Sequence, residues 1–262
     1  MNNNPLVSVI IACYNAEKYI DECLESLCKQ TYNNIEIIIC DDASKDSSFE
    51  IMNRWAEKDS RVRVLHNDKN LFAAATRNRC FQEAKGDYLM IQDVDDLSAP
   101  ERTARLLAAF ENENVDFISS AALCFDKDPA SIFSTISHKR YPSKWDFLWG
   151  ISFMHPATIF KKDCINKVGG YRVAPDTRRC QDYDLFMRLY AHGFTGMNIK
   201  DELYIYRLDR DNINRRTMES EVMEFHLRLR NYKELGLMPW GFLFALKPFV
   251  SHYYTKFKYR NL

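Results

Sequence analysis

The sequence carries no net charge: 36 Lys and Arg balance 36 Asp and Glu over 262 residues. Nothing global therefore attracts nucleic acid or another polyanion, and recognition by charge must be local. It also lacks a CxxC pair. Its eight cysteines (Cys13, Cys23, Cys28, Cys40, Cys80, Cys124, Cys164 and Cys180) are scattered, several inside apolar periodic stretches. A disulfide framework does not suit a chain of this length, and the thiols read as reduced core residues of a cytosolic protein. No uninterrupted apolar run reaches the ~18 residues that a membrane span needs. "MNNNPLVSVIIACYN" has no basic n-region before its apolar run, so it reads as a strand and not as a signal peptide. No internal repeat or low-complexity segment occurs. What remains, 46% hydrophobic and 27% charged, is the composition of a globular protein. The length fits one large domain, or one domain with an appendage.

The first half alternates strand and helix signals. "LVSVIIACY" is a β-branched run suited to a strand buried on both faces. Asn15 is expected to cap a helix carrying Ile20, Cys23, Leu24 and Leu27 at spacings of three and four. "IEIIIC" repeats the strand, Asp41, Asp42 and Ser44 follow it, and a helix with Phe49, Met52 and Trp55 comes next. "VRVLH", "AAATRNRCFQEA" and "DYLMIQ" read as strand, helix and strand. A helix with Leu106, Leu107 and Phe110 and the run "VDFISSAAL" complete the half. Such alternation implies an α/β fold with a mostly parallel sheet flanked by helices, and ligands at the carboxyl ends of its strands. Tyr14 and Asn15, Asp41 and Asp42, and Asp93 to Asp96 all stand just past strand ends, so they are expected to share one crevice. The second half is less regular: "SKWDFLWGISFMHPATIFKK" mixes aromatics with loop residues, "GGYR" marks a turn, and "QDYDLFMRLYAHG" reads as a helix ending at Gly193.

"YLMIQDVDDLSAP" ends an apolar strand in three carboxylates, Asp93, Asp95 and Asp96. Carboxylates so placed suit Mg²⁺ or Mn²⁺ bound through one or two side chains together with phosphate oxygens. The plain alternative is a solvated acidic turn.

Three stretches in order, "VSVIIACYNAEKYIDECLESLCKQTYNNIEIIICDDASKD", "NLFAAATRNRCFQEAKGDYLMIQDVDD" and "CQDYDLFMRL", resemble the family 2 glycosyltransferases over residues 5 to 210. The resemblance implies a GT-A fold and an inverting enzyme that uses a UDP-sugar and a divalent metal. It places Ala12, Tyr14 and Asn15 along the nucleotide pocket and Asp42 on the uracil ring. Arg77 lies near the base and diphosphate, Asp93 near the ribose, and Asp95 on the metal, with Asp96 supporting that shell. Asp182 is the implied catalytic base. The chemistry agrees, because an attacking hydroxyl needs a base on the face opposite the leaving diphosphate. For Asp182 the plain alternative is an acid favoured by a helix N-terminus. The chain departs from the family pattern at Gln181, where Glu is usual, at Phe72, where glycine is common, and at Asp209, where many relatives have a histidine.

The implied organisation is a GT-A domain over 1–215, with a nucleotide-sugar half (1–120) and an acceptor half (121–215), followed by a helical, membrane-proximal extension over 216–262. Trp145, Trp149 and His155 stand where an acceptor could dock, although aromatic residues more often pack in a core. Residues 235–262 contain no Asp or Glu and interleave Lys247, Lys256, Lys258 and Arg260 with aromatic residues, a pattern that suits the membrane interface. The expected acceptor is a lipid-linked surface glycan, met by a cytoplasmic protein peripheral on the inner face of the cell membrane; a homodimer is an alternative use of the tail. Two other functions stand beside this one. A sugar-phosphate nucleotidyltransferase would want a glycine-rich loop, which "VIIACYNAEKY" lacks, and a silent nucleotide-sugar module would not need intact Asp93, Asp95 and Asp182.

Overall fold

The computed structural model describes residues 4–208 and 217–250. Alternation along two unbroken apolar strands sets the layers. In β1 (Val7–Cys13), Val7, Val9 and Ile11 enter one core cluster while Ile10 enters another. In β2 (Ile35–Asp41), Ile35, Ile37 and Ile39 join the first cluster and Ile38 and Cys40 the second. A strand buried on both faces needs a helix layer on each side, and the chain supplies both. The first is covered by α1 (Ile20–Cys28), α2 (Ser48–Lys58) and α4 (Arg102–Glu111), through Leu24, Met52 and Leu106 among others. The second is covered by α3 (Phe72–Glu83), α5 (Lys162–Val168), α6 (Gln181–Ala191), α7 (Met218–Glu234) and α8 (Gly241–Ala245).

Among the described residues the sheet has nine strands. β3 (Val62–His66), β2, β1 and β4 (Tyr88–Ile91) run parallel. Beyond β4 the sheet becomes mixed. β8 (Thr158–Lys161) is antiparallel to β4 and to β6 (Phe117–Phe125), and β6 is parallel to β9 (Gly196–Arg207). β5 (Leu97–Ser98) closes the edge on β9, and β7 (Ser134–Ile136) pairs with β6. β8 lies inside the stretch that the sequence presents only as loop and aromatics.

Phe117 of β6 touches the rings of Phe153, Phe160 and Phe186. Removing such a ring costs about 3–5 kcal/mol. A Cβ at Gly196 would stand 2.1 Å from that ring, so this register requires glycine. The expected residues line the buried faces of α1 and α4, but Phe49 of α2 is exposed and lies tilted against the His66 ring instead. Ile51 takes its place in the core, because Phe49 falls on the solvent side of the helical wheel. On the far layer, Leu227, Tyr232, Leu237 and Ala245 share one core cluster with α6. Residues 217–250 are therefore tied to α6 by packing.

Candidate active site

The parallel strands β1, β2 and β4 end at the same edge, which brings their C-terminal loops together. Ala12 pairs with Cys40 and is half-buried; Tyr14 and Asn15 follow it into solvent. Asn15 does not cap α1, which begins at Ile20 with no side-chain cap. Its backbone is left-handed, φ 51°, a conformation that asparagine tolerates better than most residues. Its Oδ1 instead accepts from the Lys45 N–H at 2.8 Å, and its own N–H donates to Ser44 Oγ at 3.0 Å. The side chain thus ties the loop after β1 to the loop after β2.

Asp42 is buried at the end of β2. Its Oδ1 accepts from Asn67 Nδ2 and from the Leu71 N–H, both at 2.8 Å. Because both donors meet the same oxygen, Oδ2 is the atom left for a ligand. Beside it, Phe72 opens α3 with φ 65° and carries the Arg178 guanidinium 3.4 Å from its ring centre. The departure from glycine therefore brings a cation from the loop before α6 across the site.

The acidic turn after β4 divides into three roles. Asp93 is half-buried and paired with Arg77 at 2.5 Å, and its N–H donates to Tyr204 Oη at 3.1 Å. Asp95 is half-buried, and desolvation, followed by the charge of Asp93, pushes its carboxyl up to about 6. Asp96 is buried, and both of its oxygens face the protein: Oδ2 accepts from Tyr204 Oη at 2.8 Å and Oδ1 from the Arg207 N–H at 2.6 Å. That arrangement suits a supporting role and not direct contact with a ligand.

Cations and dipoles from distant segments balance this turn. Arg207 Nε donates to the Asp95 carbonyl, and buried Arg102 bonds Gln92, Ser98 and the carbonyls of Ile91 and Pro156. Arg102 also lies over the Tyr204 ring, with 4.7 Å to its centre. None of Tyr204, Arg207 and Arg102 is visible as a site residue in the sequence, since their partners lie as much as 112 positions away. Among the described residues, no three His, Cys, Asp or Glu gather as a metal cluster. A cation here would take Asp95, with Asp93 beside it, and complete its shell with phosphate and water oxygens, as hard divalent ions do. The raised Asp95 carboxyl marks a place short of positive charge, and the residues fit such an ion. Asp209 lies outside the described residues.

Arg77 is buried, and among the described residues its Nε and Nη1 find no hydrogen-bond partner. The residue lines a cavity of about 350 Å³ together with Asp93, His155, Arg179, Gln181 and Asp182 among others. His155 lines this cavity and is buried. Its Nε2 meets Tyr171 Oη at 2.6 Å, and burial lowers its pKa to about 3, so it is neutral. Tyr171 lies under Arg77, and its backbone is held on both sides by the Asn78 amide at 2.8 Å. These contacts fix the guanidinium from below.

The two aspartates of "QDYD" separate because helix positions two apart point in different directions. Asp184 is buried, bonded to Arg188 Nε at 2.7 Å and to Asn231 Nδ2 at 3.0 Å, and serves the core. Asp182 is half-buried, and Oδ1 accepts from the Tyr183 N–H at 2.8 Å. Desolvation raises its pKa, against the pull of that N–H and of Arg77. It also lines a second cavity of about 380 Å³, with Trp149, Arg179, Arg228 and Lys247. Asp182, Arg179 and Ile151 are common to both cavities. Trp145 lines neither. Arg179 is a site residue that the sequence motif did not mark, although it stands three positions before Asp182.

Residues 8–175 match the family model described as "Glycosyl transferase family 2". The chain is 32% identical to the putative glycosyltransferase EpsE of Bacillus subtilis, over 95% of this chain and 90% of that one. It is 26% identical to "UDP-Glc:alpha-D-GlcNAc-diphosphoundecaprenol beta-1,3-glucosyltransferase WfaP" of Escherichia coli, over 98% and 99%. Staphylococcus aureus TarS, crystallised with UDP-GlcNAc, shares the fold with a TM-score of 0.71 at 17% identity, over 92% of this chain and 72% of that one. The mannosyltransferase PcManGT of Pyrobaculum calidifontis, with GDP-Man and Mn²⁺, gives 0.67 at 18% identity, over 95% and 75%. The curled α/β sheet is that of the GT-A glycosyltransferases. With a family match over most of its length and a full-length relative above 30% identity, the chain belongs to glycosyltransferase family 2.

Proposed function

We propose that the protein moves a sugar from a UDP-sugar to a hydroxyl of a lipid-linked glycan with inversion at the anomeric carbon. The observation that carries this reading is the position of Asp182 at the junction of two cavities, one of which holds Arg77 and Asp93. The nucleotide lies along Ala12, Tyr14 and Asn15, with the base at Asp42 and the ribose at Asp93. Arg77, which lines the cavity with Asp93 and Asp182, meets the charge that builds on the diphosphate. Asp95 would hold Mn²⁺ or Mg²⁺, an ion that would supply further neutralisation of the departing diphosphate. From the second cavity the acceptor hydroxyl donates its proton to the Asp182 carboxylate. Its oxygen bonds to the anomeric carbon, and the bond to the diphosphate oxygen breaks with its electron pair leaving on UDP. One displacement turns an α-linked donor into a β-linked product. The raised pKa of Asp182 makes it a stronger base than an ordinary carboxylate.

The lipid-linked acceptor is supported by the acceptor printed in the name of WfaP and by the exposed apolar residues between 238 and 250. Among the described residues no helix is long and apolar enough to cross a membrane. The proposed contact is thus peripheral, through 236–262, of which residues 251–262 lie outside the described residues. A boundary near 215, between the catalytic domain and this extension, belongs to the same proposal. A screen of UDP-sugars for Mn²⁺-dependent release of UDP tests the reading; release from one or more donors is expected, and release from none overturns it.

A further inference from the structure

A third cavity, of about 270 Å³, lies beside the clamp that Asn78 makes on Tyr171, and its lining shares no residue with the two cavities around Asp182. From α3 come Asn78, Phe81 and Gln82, whose spacing of three and four sets them along one face of the helix. From α5 come Ile165 and Asn166, and the turn Gly169–Gly170 that ends this helix completes the lining. No charged side chain is among them, whereas the other two cavities hold carboxylates and arginines. That difference decides the class of ligand. A phosphate, a carboxylate or a metal ion would find no counter-charge here, and an unpaired charge is costly to desolvate. A neutral ligand fits.

The lining is held in place before any ligand arrives. Gly170 is left-handed, φ 71°, and a Cβ there would stand 2.5 Å from Asn78 Oδ1, so only glycine leaves that carboxamide where it is. The Gly170 carbonyl accepts from Arg188 Nη2 at 2.6 Å and the Val168 carbonyl from Nη1 at 2.7 Å, which fixes the turn. Phe81 is fixed by stacking on Tyr171, with 5.5 Å between ring centres and 6° between planes. Gln82 and Asn166, in contrast, are exposed, and among the described residues their carboxamides make no hydrogen bond. A carboxamide offers an acceptor beside two donors, a pattern that matches two neighbouring hydroxyls, each able to donate and accept. The Phe81 ring and Ile165 supply apolar surface for C–H groups. Pockets for drug-sized ligands begin near ~300 Å³, so 270 Å³ suits one sugar ring, with any further units leaving through the open side.

We infer that this cavity is a second glycan site, which holds one neutral sugar unit outside the catalytic cleft. Gln82 and Asn166 bond adjacent hydroxyls, and Phe81 and Ile165 meet the C–H groups of the ring. A hold of this kind raises the local concentration of glycan at the enzyme without any contact to Asp182. The inference rests on the proposed glycan acceptor for the source of the sugar; the class of ligand comes from the lining itself.

The test uses the ¹⁵N-labelled full-length protein with saturating UDP and Mg²⁺, so that the donor cleft is filled. Glucose, N-acetylglucosamine, cellotriose, chitotriose and sodium phosphate are titrated separately and followed by NMR. At least one of the two monosaccharides is expected to shift, saturably, the backbone amide signals of Gly169 and Gly170 and the side-chain amide signals of Gln82 and Asn166. Its β-linked trisaccharide should bind at least as tightly, and phosphate should leave these signals unmoved. The double variant Gln82→Ala/Asn166→Ala should lower sugar affinity by about fivefold or more, the loss of two neutral hydrogen bonds. Its UDP affinity should equal that of the wild type, which reports that it is folded. No shift with either monosaccharide overturns the site, and comparable shifts with phosphate overturn the neutral class. Unchanged sugar affinity in the double variant overturns the role of the carboxamides. A monosaccharide that binds while its trisaccharide does not overturns the glycan source. Failure of the wild type to bind UDP contradicts the glycosyltransferase reading, and the sugar titrations still decide this cavity; UDP binding without sugar binding sinks only this inference.

Discussion

On the proposed donor side, Tyr14, Asn15, Asp42, Asp93 and Asp95 each stand within a few positions of a strand end. On the proposed acceptor side, the cavity around Asp182 is assembled from four separate stretches, at 149–151, 179–183, 224–228 and 247–248. The difference reflects how the two halves are built. A parallel sheet places every strand end at the same edge, so a polar residue after an apolar run already has its address. A helical layer places a residue by which neighbour packs beside it, and that neighbour is distant in sequence. The two sides meet in Asp182 and Arg179, which line both cavities.

The largest effect that separates the two sides is expected at Asp182. Asp182→Asn keeps the shape and removes the proposed base, so transfer should fall by about 10²–10⁴-fold while UDP binding persists. A comparable loss of UDP affinity would place Asp182 on the donor side alone. In the wild type the base must be deprotonated, and its pKa lies above the ordinary carboxylate range. The pH profile of kcat/KM should therefore decline toward acid at a pH above that of a free aspartate, and the limb should vanish in the Asn variant.

Asp95→Asn breaks the donor side in a different way. Metal-dependent UDP binding should disappear, yet the metal-free protein should become more stable. The folded-state pKa of Asp95 is raised to about 6, so ionising it at neutral pH opposes folding. The sign follows: stability is lost as pH rises through that range, and a neutral side chain recovers about 1–3 kcal/mol at pH 7. Urea unfolding without metal measures it; a less stable variant would contradict the electrostatic account of the turn.

Tyr204→Phe tests the support beneath that turn. It removes the hydroxyl that donates to Asp96 and accepts from the Asp93 N–H, at a cost of about 1–3 kcal/mol from the groups left unpaired. The urea midpoint should fall with Asp182 untouched. The smallest expected effect is at the outer end of the acceptor cavity. Trp149→Ala should raise the acceptor KM by about three- to tenfold and leave UDP affinity as it was; a change in UDP affinity would mean that the two cavities are less separate than their linings imply.

These differences mirror what could be read in the chain. The alternation of β1 and β2 carried the layers, and the acids after β2 and β4 carried the crevice. The direction of each carboxylate was not legible. Asp96 turns inward because Tyr204 and the Arg207 N–H lie on its protein side, and both arrive with β9. Asn15 looked like a helix cap because its residue type suits one, but its left-handed backbone commits it to Ser44 and Lys45 across the neighbouring loop. For His155, neither the contact with Tyr171 nor the burial that keeps it neutral could be read from the chain. Lys247 was visible only as one cation in a tail without acids; its place beside Trp149 depends on α7 and α8 folding back over α6.

The most direct test of the central claim measures UDP release from a panel of UDP-sugars, with Mn²⁺, by the wild type and by Asp182→Asn, with UDP binding followed on the same samples. The account predicts release by the wild type from at least one donor, equal UDP affinity in the two proteins, and release by the variant reduced by about a hundredfold or more. Full-rate release by Asp182→Asn, or no release by the wild type from any donor, would contradict it.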